Sequence, residues 1–349
     1  MKKEILHNKI NRNILIKELK KETFNRITCS FYKYIDIENP IDLRDRLYIS
    51  WSNVNIFGRI YVSKEGINAQ LSCPEHNWNK FKMNLNDLTI LKNIQIKKAI
   101  VEGNSFYKLT IKVRDEIVAY GLKDNDYDIN KTGKHINSRD FNTLVEKKGT
   151  VLIDMRNYYE SEVGKFTNAV IPDEETSKQL LPKVKKMLKG KENSEILMYC
   201  TGGIRCEKAS SYLLKQGFNN IKQLKGGIIQ YSHDVKNNNL ESKFIGKNFV
   251  FDKRMSERIT SDIIGKCHIC NNPADDHVDC NNETCHILFI QCNECKKKYL
   301  GCCSIECKNF NLLPKVKQDE IKKNPKKIIS NTFHSKHIKP RLRTITRRK

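Results

Sequence analysis

A cysteine, two glycines and an arginine stand together in Cys200-Thr201-Gly202-Gly203-Ile204-Arg205, directly after the apolar run Ile196–Tyr199. The run reads as a buried strand, and the residues after it as a loop entering a helix. In open α/β sheets ligands bind at the carboxyl edge of the strands. Two glycines let the loop curl so that successive N–H groups point inward, an anion nest at a helix N-terminus. A cysteine at the mouth of such a nest is expected to be a thiolate. Donated hydrogen bonds, the helix dipole and the Arg205 charge all favour the anionic sulfur. The chemistry this offers is nucleophilic attack or the carrying of sulfur. Cys206 follows at once. It reads either as a redox partner or as a small apolar side chain packed under the helix.

Nine further cysteines fall as Cys267-x2-Cys270, Cys280-x4-Cys285, Cys292-x2-Cys295, then Cys302, Cys303 and Cys307. Two such knuckles plus two wider pairs are metal-ligand spacing, and thiolates suit tetrahedral zinc. Iron–sulfur is the rival, since four cysteines also hold clusters. Eight ligands would close two four-cysteine sites and leave one of Cys302 and Cys303 spare. His268, His277 and His286 read as surface residues or supports rather than ligands. So short a segment lacks apolar residues for a core of its own, so metal is expected to fold it.

The chain has 349 residues, with 64 Lys+Arg against 40 Asp+Glu, a formal charge of +24. That excess suggests a polyanionic partner, nucleic acid before membrane, and it peaks in the tail Lys315–Lys349. No run approaches the ~18 apolar residues of a membrane span. The opening MKKEILHNKINRN has no apolar core for a signal peptide, so a cytoplasmic protein is expected. In a reducing compartment, clustered cysteines are ligands or catalytic thiols before they are disulfides.

These residues need a frame to hold them. Residues 1–24 read as a polar leader. Residues 25–122 read as β-α-β-β-α-β. TCSFYKYI is a strand, and Asn39 and Pro40 open a helix whose Leu43, Leu47 and Trp51 share one face. GRIYVSKEGINAQLS holds a glycine turn, and Pro74 opens a helix striped by Trp78, Phe81 and Leu85. LTIKVR alternates, with Leu109, Ile111 and Val113 inward and Thr110, Lys112 and Arg114 outward. A sheet covered by two helices on one side is a ferredoxin-like or acylphosphatase-like sandwich. Its other face would carry Lys112 and Arg114, as a platform for RNA or as plain solvated charge.

Residues 123–250 begin with a polar connector over 125–150. From Thr150 short apolar strands alternate with helices, which implies a parallel α/β sheet. A helix is expected over Leu181–Leu188 with Pro182 in its first turn, and another ending at Gly217 with Phe218 as its hydrophobic contact. Gly226-Gly227 turns the chain into the next helix. A Cys-rich zinc-binding module over 251–313 and a basic tail over 314–349 complete the chain.

Cys-x4-Arg followed by a helix resembles the active loop of the rhodanese family. DMRNYYESEVGKFTNAVIP is similar to the rhodanese segment built around an Asp-x-Arg pair and a Glu-x-x-x-Gly run. That resemblance implies that Asp154 and Arg156 hold the loop from the neighbouring strand end. The related Cys-x5-Arg phosphatases carry one more loop residue to seat a phosphate, so dephosphorylation is disfavoured. FYKY, KVRDEIVA, MYCTGGIRCEKAS, GGIIQY, FIGKNFVFD, CHIC and CHILFIQC extend the likeness over nearly the whole chain. The sequence resembles the bacterial tRNA uridine(34) hydroxylase family of rhodanese-domain proteins.

Membership would imply oxygen-dependent hydroxylation of the wobble uridine to 5-hydroxyuridine, with dioxygen as co-substrate and the tRNA anticodon region as partner. No organic cofactor is evident. Cys200, Arg205 and Cys206 would carry the catalysis, within a substrate loop of Thr201, Gly202, Gly203 and Ile204. Two readings stay open beside it. One is a sulfurtransferase carrying a persulfide on Cys200, within tRNA thiolation. The other is a non-catalytic RNA-binding module, against which Cys200 argues, since an anion nest needs no thiol.

Overall fold

Helix α1 (Arg12–Leu19), capped by Asn11, precedes strand β1 (Arg26–Tyr34). The structure, a computed structural model, describes residue 6 and residues 8–285 and 287–323. Helix α2 (Pro40–Ser52) starts where Asn39 accepts from the Asp42 N–H at 3.1 Å and Pro40 pre-sets the first turn. Its Leu43, Leu47 and Trp51 are buried, as four-residue spacing requires. Strands β2 (Phe57–Ser63) and β3 (Gly66–Pro74) pair antiparallel, and helix α3 (Trp78–Asn86) buries Phe81 and Leu85. Phe31, Trp51 and Phe81 meet edge-on between sheet and helices, at 6.2 and 5.7 Å between ring centroids.

The sheet closes differently from the expectation. Its order is β4-β1-β3-β2-β5, where β4 is only Lys97–Lys98 and β5 is Leu109–Val113. The first four strands are antiparallel throughout, the acylphosphatase-like arrangement, and β4 is the strand that completes it. LTIKVR is instead an added edge strand, parallel to β2. A two-residue strand carries no alternation, so nothing in its sequence could announce it. At the edge Val113 is 36% exposed, so only Leu109 and Ile111 face the core.

The chain continues through β6 (Lys134–Ile136), α4 (Ser138–Glu146), β7 (Val151–Asp154), α5 (Tyr158–Ser161) and β8 (Gly164–Phe166). Then come α6 (Ser177–Met187), β9 (Ile196–Tyr199), α7 (Ile204–Lys215), β10 (Ile221–Leu224) and α8 (Gly227–Asn237). Strands β6, β10, β9 and β7 form a parallel sheet in that order. The connector over 125–150 is therefore partly structural: it supplies an edge strand and a helix that buries Phe141 and Val145. Pro182 lies inside α6 rather than at its start, because Thr176 caps the helix and Ser177 begins it. Gly217 sits at φ 91°, and the Phe218 N–H returns to the Leu213 carbonyl at 3.2 Å.

The free face of the first sheet is not a solvent platform. Tyr32 and Tyr34 project from it onto α7: the Tyr32 hydroxyl donates to Glu207 at 2.9 Å and that of Tyr34 to the Ile204 carbonyl at 3.2 Å. Lys112 and Arg114 are exposed, with the Arg114 guanidinium 5.7 Å from the Tyr61 ring centroid.

Two compact units divide the chain. The first takes the described residues up to Asn157, Thr167–Lys243 and Val250–Glu257. The second takes Tyr158–Phe166, Phe244–Phe249 and the described residues from Arg258 onward. In that second unit β11 (Phe244–Phe249) pairs antiparallel with β8. Beyond β12 (Ser256–Arg258), strands β13 (His277–Asp279) and β14 (Leu288–Ile290) make a hairpin. Helices α9 (Asn293–Tyr299), α10 (Ile305–Leu312) and α11 (Lys315–Lys323) follow. The tail beyond residue 323 lies outside the described residues. Among the described residues no helix is long and apolar enough to cross a membrane.

Candidate active site

Strand β9, all four of its residues buried, delivers Tyr199 and then Cys200 to the carboxyl edge of the parallel sheet. Gly203, at φ 99°, turns the loop so that its N–H points back at the Cys200 sulfur, 3.1 Å away. The other side of the loop is held by the start of α8. The Ile228 and Ile229 N–H groups donate to the Cys200 and Thr201 carbonyls at 3.0 and 3.1 Å. Gly226 and Gly227 both adopt positive φ, and a Cβ on Gly227 would lie 2.5 Å from the Cys200 carbonyl oxygen. Only glycine permits that approach.

Cys200 is fully buried, and burial alone would push its thiol up. The Cys206 S–H, the Arg205 charge and the N–H groups of Cys206 and Arg205 overcome this and bring it down to about 6. Cys206, also buried, moves the other way. Burial first, then its anionic neighbour, push it well above the ordinary thiol range, so it stays a hydrogen-bond donor. Arg205 donates to the Thr201 hydroxyl at 3.2 Å and stands 5.9 Å from the Phe251 ring centroid.

Asp154 and Arg156 support this loop from the neighbouring strand. Both are fully buried. The guanidinium meets the carboxylate through Nε at 3.0 Å and Nη2 at 2.7 Å, and the Tyr199 hydroxyl donates to the same carboxylate at 2.7 Å. Burial pushes the Asp154 carboxyl up, but Arg156 and Tyr199 hold it below the usual range. The residue before Cys200 is thus anchored through its phenol.

A cavity of about 330 Å³ opens over the loop, within the first unit. Thr201, Gly202, Ile204 and Arg205 of the loop line it, while Cys200, fully buried, is not among its lining residues. Tyr32, Arg59 and Gln70 of the antiparallel sheet form one wall, and Phe251, Asp252, Arg254 and Glu257 another. Sequence reading missed three residues here. Lys97 of β4 is 7% exposed, has no ion-pair partner among the described residues, and sets its ammonium 4.4 Å from the Tyr32 ring centroid. Burial lowers its pKa to about 8, against the pull of the Cys200 and Glu207 charges. Glu207 accepts from Tyr32 at 2.9 Å, from Gln223 at 2.9 Å and meets His135 at 2.8 Å. Glu257 accepts on one oxygen from the Ile100 and Val101 N–H groups and from Arg254, and its other oxygen has no partner. Lys97 and Glu257 belong to no motif, and Glu207, though inside MYCTGGIRCEKAS, has no role that its place in the motif gives away; each gains meaning only where the chain brings it.

The first turn of α7 is gripped from the antiparallel sheet and the segment after it. Buried Lys208 pairs with Glu65 at 2.7 Å and Glu116 at 3.4 Å, and the Tyr120 hydroxyl donates to the Arg205 carbonyl at 3.2 Å. The helix that stabilises the thiolate is therefore fixed from both sides.

In the second unit the cysteines gather in two fours. Cys267, Cys270, Cys292 and Cys295 form one group, and Cys280, Cys285, Cys303 and Cys307 the other, each with its sulfurs within 4.8 Å of one another. No disulfide joins them. Cys270 and Cys292 are 3.6 Å apart, as are Cys285 and Cys303. A tetrahedron with Zn–S of about 2.3 Å has edges of about 3.8 Å, so each group fits one tetrahedral ion. Cys302 stands outside both groups, its sulfur accepting from Asn311 at 3.4 Å, so of Cys302 and Cys303 it is Cys302 that is spare and leaves the list of candidate ligands. His268 meets Glu162 at 3.2 Å and His277 packs against the Phe249 ring, so neither joins a group; His286 lies outside the described residues.

Fold and site together define a rhodanese-type thiol protein with an acylphosphatase-like partner domain and two four-cysteine groups able to hold a metal ion. Matches to family models run in the same order: "UPF0176 acylphosphatase like domain" over residues 26–117, "Rhodanese-like domain" over 138–234 and "Rhodanase C-terminal" over 245–308. A tRNA uridine(34) hydroxylase of Leptospira interrogans is 48% identical over 98% of this chain and 93% of its own length. Proteins of the same name from Photorhabdus laumondii and Hamiltonella defensa are 46% and 45% identical, over 90% and 87% of this chain and 90% and 86% of theirs. The chain belongs to the tRNA uridine(34) hydroxylase family.

Proposed function

We propose that this protein hydroxylates the wobble uridine of tRNA at C5, consuming dioxygen, with the Cys200 thiolate as nucleophile. The observation that carries the mechanism is a thiol held down to about 6 on the loop whose next residues line a nucleoside-sized cavity. Uracil C5 does not react with oxygen unaided. Addition of the thiolate to C6 gives it enolate character. Dioxygen then adds to C5 as a peroxide, two electrons and two protons reduce this to the hydroxyl and water, and loss of the C5 proton expels the thiolate. Two thiols, oxidised to a disulfide, are the natural donors of those two electrons and two protons. Cys206 touches Cys200, though its protonated state favours a role in keeping the nucleophile ionised. Arg205 and the loop N–H groups would then face the charge that develops on the pyrimidine or the peroxide.

An unpaired anticodon base leaves its stack at little cost, so the cavity is within its reach. The two four-cysteine groups would hold zinc, whose role in this reading is to fold the second unit. Nucleoside mass spectrometry of tRNA from cells with and without the gene tests the activity. Loss of 5-hydroxyuridine derivatives is expected; loss of a thionucleoside would point to sulfur transfer instead. For the mechanism, an anticodon stem-loop carrying 5-fluorouridine is expected to trap a Cys200–RNA adduct. An active enzyme that forms none would remove the conjugate addition.

A further inference from the structure

Two carboxylates line the cavity, Asp252 and Glu257, and only one has an oxygen to give a ligand. Arg254 takes both oxygens of Asp252, through Nε at 2.9 Å and Nη2 at 2.5 Å. Glu257 is 1% exposed, and three donors converge on its Oε1: the Ile100 N–H at 3.0 Å, the Val101 N–H at 3.3 Å and Arg254 Nη1 at 2.6 Å. Its Oε2 is buried with no partner. A buried carboxylate oxygen without a donor costs free energy unless something fills the place. The cradle on Oε1 fixes the carboxyl, so the free oxygen has one direction. The neighbouring cavity residues Arg59, Lys97, Arg205 and Arg254 are all donors. Gln70 carries both a donor and an acceptor, while Asn68 spends its Nδ2 donor on the Ile117 carbonyl at 3.2 Å.

A uracil edge presents acceptor, donor, acceptor: O2, N3–H and O4. Cytosine presents an acceptor at N3 and a donor at N4. A pocket rich in donors, with a held carboxylate whose second oxygen is still to be filled, matches uracil, because that oxygen can receive the imino proton. We propose that Glu257 Oε2 accepts the N3–H of the base and so makes this cavity select uridine over cytidine. This rests on the reading of the cavity as the site of uridine hydroxylation, and it adds a residue that chooses the base rather than one that reacts with it.

The test uses the full-length metal-bound protein and anticodon stem-loops differing only at position 34. Wild-type protein is expected to bind and modify the uridine stem-loop, and to bind its 3-methyluridine and cytidine counterparts at least about tenfold more weakly. Glu257→Gln sharpens this. The three donors hold the amide oxygen where Oε1 sits, which turns the NH2 toward the cavity. Preference for uridine over cytidine is then expected to collapse or invert, because a donor now faces N3. Equal binding of uridine and 3-methyluridine by active wild-type protein would overturn the proposal, whatever the variant does. So would Glu257→Gln with its preference intact, or a loss on 2′-deoxyuridine with none on 3-methyluridine, which would give the oxygen to the ribose. Wild-type protein that leaves the uridine stem-loop unmodified would remove the hydroxylation reading and this proposal with it.

Discussion

The Cys200 loop and the Cys-rich unit are both built on sulfur, and they handle its charge in opposite ways. Cys200 is a single thiolate ringed by donors: the Gly203 N–H, the loop amides, the Cys206 thiol and Arg205. Its charge is satisfied by the protein, so the sulfur stays ionised although it is buried. In the Cys-rich unit the sulfurs face one another in fours within 4.8 Å. Four thiolates so close repel unless a cation sits among them. Cys29 and Cys73 show the third case. Buried in the apolar core of the antiparallel sheet, they have neither device, and burial pushes the Cys73 thiol up to about 12. The neighbours of a cysteine, rather than its burial, decide whether it is nucleophile, ligand or filler.

Removing the metal is the harshest way to test this contrast. Structural zinc contributes about 10–16 kcal/mol of apparent binding energy per site, so a strong chelator is expected to unfold the second unit. Circular dichroism and limited proteolysis would follow the loss, and elemental analysis is expected to give about two zinc ions per chain. Cys302→Ala is expected to keep both ions where Cys303→Ala loses one. Stoichiometric iron and sulfide, or a metal-free unit that stays folded, would break the comparison.

Cys200→Ser is expected to reduce tRNA modification to background while leaving the thermal midpoint within a few degrees, since one buried sulfur is replaced by a hydroxyl. A variant that keeps measurable activity would assign the nucleophile elsewhere. Asp154→Ala acts through the frame instead. It leaves the Arg156 charge buried and unpaired, at a cost of about 3–5 kcal/mol in urea unfolding. An unchanged midpoint would show that Tyr199 does not depend on that pair.

The depressed Cys200 pKa sets a pH profile. Above about 6 the sulfur is ionised and reacts; as pH falls through 6 it is protonated and the rate of modification falls with it. Removing the thiol donor with Cys206→Ala is expected to move the midpoint upward by about one unit, what a hydrogen bond to a charged group contributes. A midpoint that stays at 6 would leave Cys206 as packing alone. The smallest effect is expected from deleting residues 324–349. If that basic tail neutralises tRNA phosphates, the slope of log affinity against log salt is expected to flatten by about 0.7–0.9 for each phosphate left without its cation. An unaltered slope would make the tail a bystander.

What could be read in the sequence was what is local. Cys200 and Arg205 lie five residues apart on one loop, and the Cys-x2-Cys knuckles are each a single turn, so both centres declare themselves. Asn39, Pro40 and Gly217 mark helix ends by the same short-range physics. Lys97, Glu207 and Glu257 are ordinary charged residues along the chain. They meet at the cavity only after β4 has paired with β1 and the antiparallel sheet has turned Tyr32 onto α7. Strand β4 itself is too short to show a period. The spare cysteine was a matter of packing too. Cys302 and Cys303 are adjacent, and only the fold decides which sulfur turns toward Cys280 and Cys285.

One consequence concerns self-inflicted damage. Thiols with a low pKa and open access are the first to be oxidised to sulfenic and then irreversible acids. If the proposed reaction holds, oxygen and a peroxide come to the enzyme's own nucleophile, which would expose it to this hazard more than most. Here the sulfur is fully buried under Thr201 and Gly202 with Cys206 against it. Small oxidants in solution have no direct path to a sulfur so placed. The same burial that makes the thiolate hard to reach would slow its oxidation between turnovers.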